Sequence, residues 1–237
     1  MNFFILLFIS LLFFTSNTNI SLAQNSSKKP TLIYVFDPLC GWCYGFSPVI
    51  SKIASTYKDI FSIETVCGGM ITDDQIGFIK QKAPFLKKAT ALVTQHTGAE
   101  FSRYFIDTVM LDSSRIMTSV QSSIAIMICK EMMPESLLSF IEELHKYIYI
   151  NGIDMAKDES YLELAKQFNI PEKEFLLKMK NIKYKNAAIK EFSKAEQLGI
   201  TSFPALLLNN NGKYTIISNG YKSFQEIELS LQLELKE

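Results

Sequence analysis

The sequence predicts an α/β fold in which a small buried sheet is interrupted by a long helical block. Short apolar runs typical of strands lie near both ends of the chain, at residues 31–36, 61–66 and 203–208. Between them, residues 72–184 carry apolar side chains mostly at helical spacing. With 237 residues and 48% hydrophobic content, the chain is long enough to bury a sizeable core.

The charged residues balance, since 24 Lys and Arg are matched by 24 Asp and Glu. The sequence has no basic cluster interleaved with aromatic residues. We therefore expect no nucleic acid among the partners of this chain and no electrostatic attraction to anionic membranes.

The first residues predict a secretion signal. Residues 3–14 form an apolar run broken only by Ser10, shorter than the roughly 20 residues of a membrane span. Residues 21–23, Ser-Leu-Ala, suit cleavage directly after them. We expect a cleaved signal peptide over 1–23, a flexible mature terminus over 24–30 and a bacterial periplasmic location. The alternative is a retained anchor that holds the protein on the membrane, facing the periplasm.

The first predicted strand, residues 31–36, shows little alternation of polarity, as expected for a strand covered on both faces. Residues 37–39, Asp-Pro-Leu, then predict a turn, because proline does not extend a central strand. A helix is predicted over residues 41–57. Pro48 inside it is expected to kink the helix or delay its regular start.

The second predicted strand, residues 61–66, is followed by Gly68-Gly69, which mark a change of direction. Thr72, with Gln75 three residues later, predicts a capped helix start. The mature chain divides at these points into a first half (31–71), a helical insertion (72–184) and a second half (185–237).

Further patterns fill the insertion and the second half. Apolar stripes predict helices over 119–132, 135–149, 160–168 and 185–198, the last closed by Gly199. Residues 203–208 predict a strand, the Asn-rich run 209–212 a hairpin turn, and 214–218 the paired strand. Ser223 is expected to cap a final helix.

The candidate chemistry lies in the Cys-Gly-Trp-Cys motif at residues 40–43. The motif stands where the first strand gives way to the first helix, and the unpaired backbone N–H groups there favour the thiolate of Cys40. Cys43 lies about one turn further on, close enough to attack a mixed disulfide formed at Cys40. The motif therefore predicts a dithiol that closes to a disulfide and reopens.

A strand, a Cys-x-x-Cys that opens a helix, and a late Thr-Ser-Phe-Pro (201–204) before a hairpin together resemble the thioredoxin-like superfamily. The helical block is similar to that of the DsbA-like thiol–disulfide oxidoreductases, and residues 37–46 resemble their FrnE-like branch. The resemblance implies a thioredoxin-like fold with a long helical insertion. It also implies that Cys40 is the nucleophile, Cys43 the resolving thiol and Pro204 a cis proline that faces them.

The resemblance also implies how clients bind. A cis bond before Pro204 would leave the backbone of Phe203 free to pair with an extended client, and Trp42 would add apolar surface beside the Phe203 ring. From the pattern alone, a trans bond that merely begins a strand is the alternative. We expect a protein disulfide isomerase-like enzyme, oxidase or isomerase rather than reductase, without cofactor or metal. Its expected partners are exported proteins with thiols or disulfides and a redox partner that the sequence does not identify.

Two departures from related enzymes affect the expected mechanism. Those enzymes often bury a carboxylate six residues before the first cysteine, where this chain has Tyr34. Proton transfer is then expected to use water, Glu64 or another group. Strongly oxidising members carry a histidine between the cysteines, where this chain has Gly41-Trp42. We expect a reduction potential of roughly −250 to −150 mV.

The remaining cysteines and the histidines suggest simpler roles. A zinc site would need a second ligand pair at short spacing, which Cys67, Cys129, His96 and His145 do not provide. Cys67 and Cys129 are expected to be buried thiols, with a second disulfide between them or a redox relay through Cys67 as alternatives. Both histidines are expected to be exposed helix residues or satisfied core residues.

Two other functions stay open on the same fold. A client-holding chaperone or binding protein would keep its activity when both motif cysteines are replaced by serine. The kappa-type glutathione transferases and related isomerases resemble this fold and bind glutathione. Retention of Cys43 argues against them, because they usually lack the second cysteine.

Overall fold

The computed structural model describes residues 29–235. The predicted signal peptide, residues 1–23, and residues 24–28 of the predicted flexible terminus lie outside that range. Within it, no helix combines the length and apolar character needed to cross a membrane.

The strands cluster toward the two ends of the described chain, and most of the helices lie between them. The strands are β1 (Thr31–Phe36), β2 (Ser62–Cys67), β3 (Gly77–Phe78), β4 (Ile116–Met117), β5 (Ala205–Asn210) and β6 (Lys213–Asn219). The helices are α1 (Gly41–Thr56), α2 (Ile79–Thr97), α3 (Arg103–Asp107), α4 (Ser119–Met132), α5 (Leu137–Tyr149), α6 (Leu162–Gln167), α7 (Glu172–Met179), α8 (Ile182–Gln197) and α9 (Phe224–Glu234). The predicted α/β class with a long helical insertion is confirmed.

Four strands form one sheet in the order β2-β1-β5-β6, with β1 parallel to β2 and antiparallel to β5. The side chains of β1 alternate between two apolar layers. Tyr34 and Phe36 pack with α1 and the helical block, whereas Ile33 and Val35 pack with α8. Because both faces are covered, the sequence of this strand shows no alternation of polarity.

Helix α1 begins directly after Cys40 and is continuous to Thr56. Pro48 lies inside it without ending it, so the expected delay of the helix start is wrong. Pro48 is exposed, and its ring therefore meets solvent rather than the core.

The capped helix predicted at Thr72 is wrong. Residues 73–75 form a single 3-10 turn, and the Thr72 side chain makes no cap hydrogen bond. The chain then enters β3, which pairs with β4, and the Ile79 amide donates to the Arg115 carbonyl at 2.9 Å. Pairing with a distant segment therefore outweighs the local helix signal, and regular helix begins only at Ile79.

Helix α8 begins at Ile182, slightly before the start predicted at residue 185. The Asn181 side chain accepts a hydrogen bond from the Lys183 amide at 2.9 Å and caps α8, so the predicted boundary at residue 184 falls inside this helix. The predicted hairpin is confirmed, with Asn211 (φ 52°) and Gly212 (φ 92°) forming a two-residue turn. Ser223 caps α9 as predicted.

The outer edge of β2 is covered by an ion pair between two helices. Lys130 of α4 donates to the Thr65 carbonyl at 3.0 Å and lies 3.0 Å from a carboxylate oxygen of Glu191 on α8. Glu191 in turn accepts from the Cys67 amide at 3.2 Å. Side chains thus satisfy backbone groups that an open sheet edge would leave free.

Candidate functional site

The two motif cysteines lie at the start of α1, directly after the turn that follows β1. Cys40 is the N-cap residue of α1 and is 7% exposed, whereas Cys43 lies in the first helical turn and is fully buried. The Cys43 amide donates to the Cys40 carbonyl at 2.9 Å. Cys40 is therefore the less buried of the two cysteines and Cys43 lies behind it, an order that suits attack by Cys40 and resolution by Cys43.

The loop that precedes β5 completes the site. The Phe203–Pro204 peptide bond is cis, as the resemblance implied. Cys40 Sγ donates to the Phe203 carbonyl at 3.4 Å, although the two residues are 163 positions apart. The structure thus brings together Cys40, Cys43, Phe203 and Pro204, four of the five predicted site residues.

The lack of side chains at Gly68 and Gly69 makes space for the loop before β5. A Cβ on Gly68 would lie 2.1 Å from Phe203 Cζ, and one on Gly69 would lie 2.6 Å from the Phe192 ring. Gly69 also has a φ of +68°, which side chains rarely tolerate. The pair therefore does more than turn the chain after β2, because it lets the Phe203 ring lie against the backbone.

A cavity of about 520 Å³ opens beside Cys40, between α1 and α2. Its wall is mainly apolar and includes Trp42, with Lys82 as a charged residue of the lining. The Trp42 ring lies 5.7 Å from the His96 ring and 6.1 Å from the Tyr221 ring. Trp42 is therefore placed to contact an occupant of this cavity, and His96 is exposed on α2, as expected.

Asp37 is a fully buried carboxyl group beside the dithiol, where the sequence predicted only a turn. Its oxygens accept from the Leu39 amide at 2.9 Å, the Met70 amide at 2.7 Å and the Ser119 hydroxyl at 2.9 Å. Burial raises the pKa of Asp37, and these donors oppose that shift. The carboxyl group ties the turn before Cys40 to the loop after β2 and to the start of α4.

His145 of α5 lies under α1 and is fully buried. The Ser47 hydroxyl donates to the Cys43 carbonyl at 3.2 Å and lies 2.9 Å from His145 Nδ1. His145 Nε2 has no hydrogen-bond partner among residues 29–235. Burial lowers the pKa of His145 to about 3, so the ring is neutral at pH 7. The expected core position is confirmed, but the expectation that its ring nitrogens are all hydrogen-bonded is wrong for Nε2 in the described residues.

The group near Cys43 that could assist proton transfer is not Glu64. That side chain lies on the sheet face that packs with α8, where it pairs with Lys194. The polar residue of β1 on the Cys43 side is Tyr34, which is fully buried. Its hydroxyl has no hydrogen-bond partner in the described part of the chain. Burial raises the pKa of the Cys43 thiol, so forming its thiolate needs help.

The other two cysteines are buried, free thiols, and the alternative of a disulfide between them is wrong for this structure. Burial raises the pKa of Cys67 and raises that of Cys129 to about 12. A relay through Cys67 stays a prediction. Across residues 29–235, no cluster of His, Cys, Asp and Glu side chains is arranged to hold a metal ion.

The sequence did not indicate that Asp37 and His145 are buried polar groups beside the dithiol, or that the hydroxyl of the tyrosine at position 34 is buried there. The available signals were weak. Asp37 precedes a proline and so resembled an ordinary turn residue. His145 follows the same apolar stripe as Ile141 and Leu144, which predicted a buried position but not the elements that it packs against. Only the docking of α5 under α1 brings that histidine near the dithiol.

Comparisons with known proteins bear on this site. The family model described as thioredoxin matches residues 34–228. The fold is similar to that of a protein assigned as a protein disulfide isomerase in Nitrosomonas europaea, with a TM-score of 0.78 and 25% identity over 88% of this chain and 98% of that one. It is also similar to the cytosolic disulfide reductase DsbM from Pseudomonas aeruginosa, with a TM-score of 0.73 and 22% identity over 87% and 98%.

A curated relative is described as an adapter protein. The ClpXP adapter protein SpxH from Halalkalibacterium halodurans is 25% identical over 153 residues. This match covers 64% of the chain, and the chain spans half of that relative's length.

Proposed function

The chain belongs to the thioredoxin family, and from that membership we propose that it is a DsbA-like thiol–disulfide oxidoreductase that exchanges disulfides with exported protein clients. The observation that carries the proposal is the joint site of α1 and the loop before β5. Cys40 Sγ lies 3.4 Å from the Phe203 carbonyl at a cis bond to Pro204, with the buried Cys43 one turn behind.

The exchange follows from this arrangement. In the reduced enzyme, the Cys40 thiolate attacks a client disulfide, and one client sulfur leaves as a thiol. Cys43 then attacks Cys40 Sγ, the mixed disulfide breaks, and the second client sulfur leaves. In the oxidised enzyme, a client thiolate attacks Cys40 and the same steps run in reverse. Electrons pass only between sulfur atoms, so the reaction needs no cofactor.

Phe203 and Trp42 are the proposed client contacts. The Phe203 carbonyl already accepts a hydrogen bond at the reactive sulfur, so an extended client beside Cys40 would find a backbone acceptor there. Trp42 borders the neighbouring apolar cavity and would contact side chains close to the client cysteine. Backbone pairing of this kind tolerates many client sequences.

Net oxidation or isomerisation is the proposed direction. Gly41-Trp42 places no histidine between the cysteines, which supports a potential between those of thioredoxin and the strongest oxidants, roughly −250 to −150 mV. Periplasmic location is proposed from the apolar run at residues 3–14 and the Ser-Leu-Ala that follows at 21–23. Assignment to the FrnE-like branch stays a prediction.

A reductase that uses glutathione is the second candidate. The cavity of about 520 Å³ beside Cys40 supports it, since a small thiol could enter there, and Lys82 could face a carboxylate. A structure of the similar protein DsbM contains glutathione. This candidate would reduce client disulfides, whereas the first would form or rearrange them.

The reduction potential of the Cys40–Cys43 pair in glutathione buffers tests the proposal. A value near −120 to −180 mV marks an oxidant or isomerase, and one near −270 mV marks a reductase. Thiol labelling should show Cys67 and Cys129 free in both states. A Cys40→Ser, Cys43→Ser double variant should lose all exchange activity, with Cys129→Ala as a control that keeps it. Failure to form a reversible disulfide would instead favour a client-binding or adapter function.

A further inference from the structure

Tyr34 is held rigidly behind the dithiol. Its ring stacks on Phe36 at 4.9 Å with an interplanar angle of 13° and contacts Phe46 of α1 at 5.6 Å. The side chain is 0% exposed. The position of its hydroxyl is therefore set by the packing of three aromatic rings rather than by solvent.

The Tyr34 hydroxyl is unusual because it has no hydrogen-bond partner among residues 29–235. Buried hydroxyl groups are normally bonded, and phenylalanine would fill the same stacking position without this cost. Burial raises the pKa of Tyr34, and the adjacent Cys43 and Cys40 raise it further. The phenol thus keeps its proton and remains a donor when a thiolate forms nearby.

Other polar groups around Cys43 already make hydrogen bonds. The Cys43 amide donates to the Cys40 carbonyl, and the Ser47 hydroxyl donates to the Cys43 carbonyl. Asp37 acts on Cys43 in two opposite ways, since a hydrogen bond from its backbone lowers the pKa of the Cys43 thiol whereas the charge of its carboxylate raises it. A thiolate at this buried position therefore has one backbone donor, and a side-chain donor would stabilise it further.

We propose that the Tyr34 hydroxyl donates a hydrogen bond to the Cys43 thiolate as the mixed disulfide is resolved. This proposal rests on the proposed disulfide exchange. In the step, Cys43 attacks Cys40 Sγ, the bond between Cys40 and the client sulfur breaks, and the Cys40–Cys43 disulfide forms. The proton that Cys43 loses ends on the departing client thiol. Tyr34 keeps its own proton throughout and is unchanged at the end.

The test uses the full chain, reduced, and mixes it with glutathione disulfide as the probe. Acid quenching and mass measurement follow the mixed disulfide at Cys40, and fluorescence of Trp42 follows its resolution. In Tyr34→Phe, the rate of attack by Cys40 should stay unchanged. The rate of resolution should fall about tenfold, and its pH midpoint should rise by about one unit.

A matched control removes a buried phenol elsewhere. Tyr161 is also 0% exposed, but its hydroxyl donates to the Met155 carbonyl at 2.7 Å and lies 2.8 Å from Ser122 Oγ. Tyr161→Phe should leave both rates and the pH midpoint unchanged. The other titratable groups that face the dithiol are the same in both variants, and they are Asp37, Cys67, His145 and Tyr149.

Two results would overturn the proposal in different ways. If Tyr34→Phe resolves at the wild-type rate with the wild-type pH midpoint, the role of Tyr34 fails and disulfide exchange stands. If the wild type itself forms no Cys40–Cys43 disulfide, both proposals fall together. Should Tyr34→Phe not fold, 3-fluorotyrosine in place of Tyr34 keeps the ring and offers a more acidic donor. It should lower the pH midpoint of resolution, and an unchanged midpoint overturns the proposal.

Discussion

The two faces of the central sheet bury different kinds of groups. On the face that packs with α8, Ile33, Val35 and Val66 belong to one aliphatic layer. On the face that packs with α1, the buried groups beside the dithiol include the carboxyl group of Asp37 and the ring of His145. Burying such groups costs free energy unless they are fully hydrogen-bonded. The difference indicates that the α8 face serves stability and that the α1 face gives up some stability for chemistry.

The largest expected effect tests the α8 face. Ile33→Ala removes a buried aliphatic side chain and should lower the free energy of unfolding by about 3 kcal/mol. The reduction potential of the dithiol should stay unchanged, because Ile33 faces away from it. Denaturant unfolding and equilibration in glutathione buffers measure the two quantities.

A matched control for this variant is Ile216→Ala. Ile216 lies on β6 with 58% of its surface exposed, so its truncation should change the free energy of unfolding by less than about 0.5 kcal/mol. A shift of the potential in Ile33→Ala would show that the two faces are coupled and would contradict the comparison.

Substitution of Asp37 should lower the free energy of unfolding by less than Ile33→Ala does, and it should also slow disulfide exchange. Asp37→Asn places an amide N–H₂ group against the donors that now meet a carboxylate, so the free energy of unfolding should fall by about 2 kcal/mol. Disulfide exchange should slow, because the turn before Cys40 loses its tie to Met70. Stopped-flow exchange with a peptide disulfide measures the second effect.

Ser119→Ala is the control for this prediction. It removes the hydroxyl that bonds Asp37 at 2.9 Å and also accepts from the Ile71 amide at 3.0 Å, but it keeps both amide bonds to the carboxylate. The loss of stability should be about 1 kcal/mol, with little change in exchange. Equal exchange rates in Asp37→Asn and the wild type would remove Asp37 from the functional site.

The smallest expected effect is a pH dependence from His145. Its pKa of about 3 in the folded protein lies below the ordinary value of 6.5, so the unfolded chain binds a proton more readily. The neutral ring therefore contributes stability fully above pH 6.5, and this contribution is lost as the pH falls toward 3. Between pH 6.5 and 5.5 the loss should be about 1 kcal/mol.

Unfolding curves of the wild type and of His145→Gln at several pH values check this sign. The variant should be less stable at pH 7 but should lack the part of the decline that His145 causes. His96→Gln is the control, because that ring is exposed and its removal should leave the decline in place. If the free energy of unfolding falls equally with pH in the wild type and in His145→Gln, groups other than His145 cause the decline.

Much of the fold follows from local patterns. The predicted bounds of β1 and α4 agree with the structure, and the hairpin turn and the capped α9 formed where turn and cap residues indicated them. In these segments the local preference and the tertiary contacts favour the same structure. The dithiol was evident for a similar reason, since its two cysteines and the helix start are all within four residues.

The rest depends on contacts between distant segments. The β3–β4 pair is two residues long on each side, too short to show periodicity, and it replaced the helix start expected at Thr72. The hydrogen bonds of Asp37 join residues 33 and 82 positions away, which no spacing rule reports. Glu64 was a candidate near Cys43 by charge alone, but strand alternation directs it to the opposite face.

The covered edge of β2 limits where the proposed unfolded clients could add a strand. Unfolded chains carry exposed backbone N–H and C=O groups, and an open strand edge beside the site would recruit them into unproductive sheet extension. Lys130 and Glu191 already occupy the Thr65 carbonyl and the Cys67 amide. If the protein exchanges disulfides with unfolded clients as proposed, the covered edge leaves the backbone at Phe203, rather than β2, for client pairing.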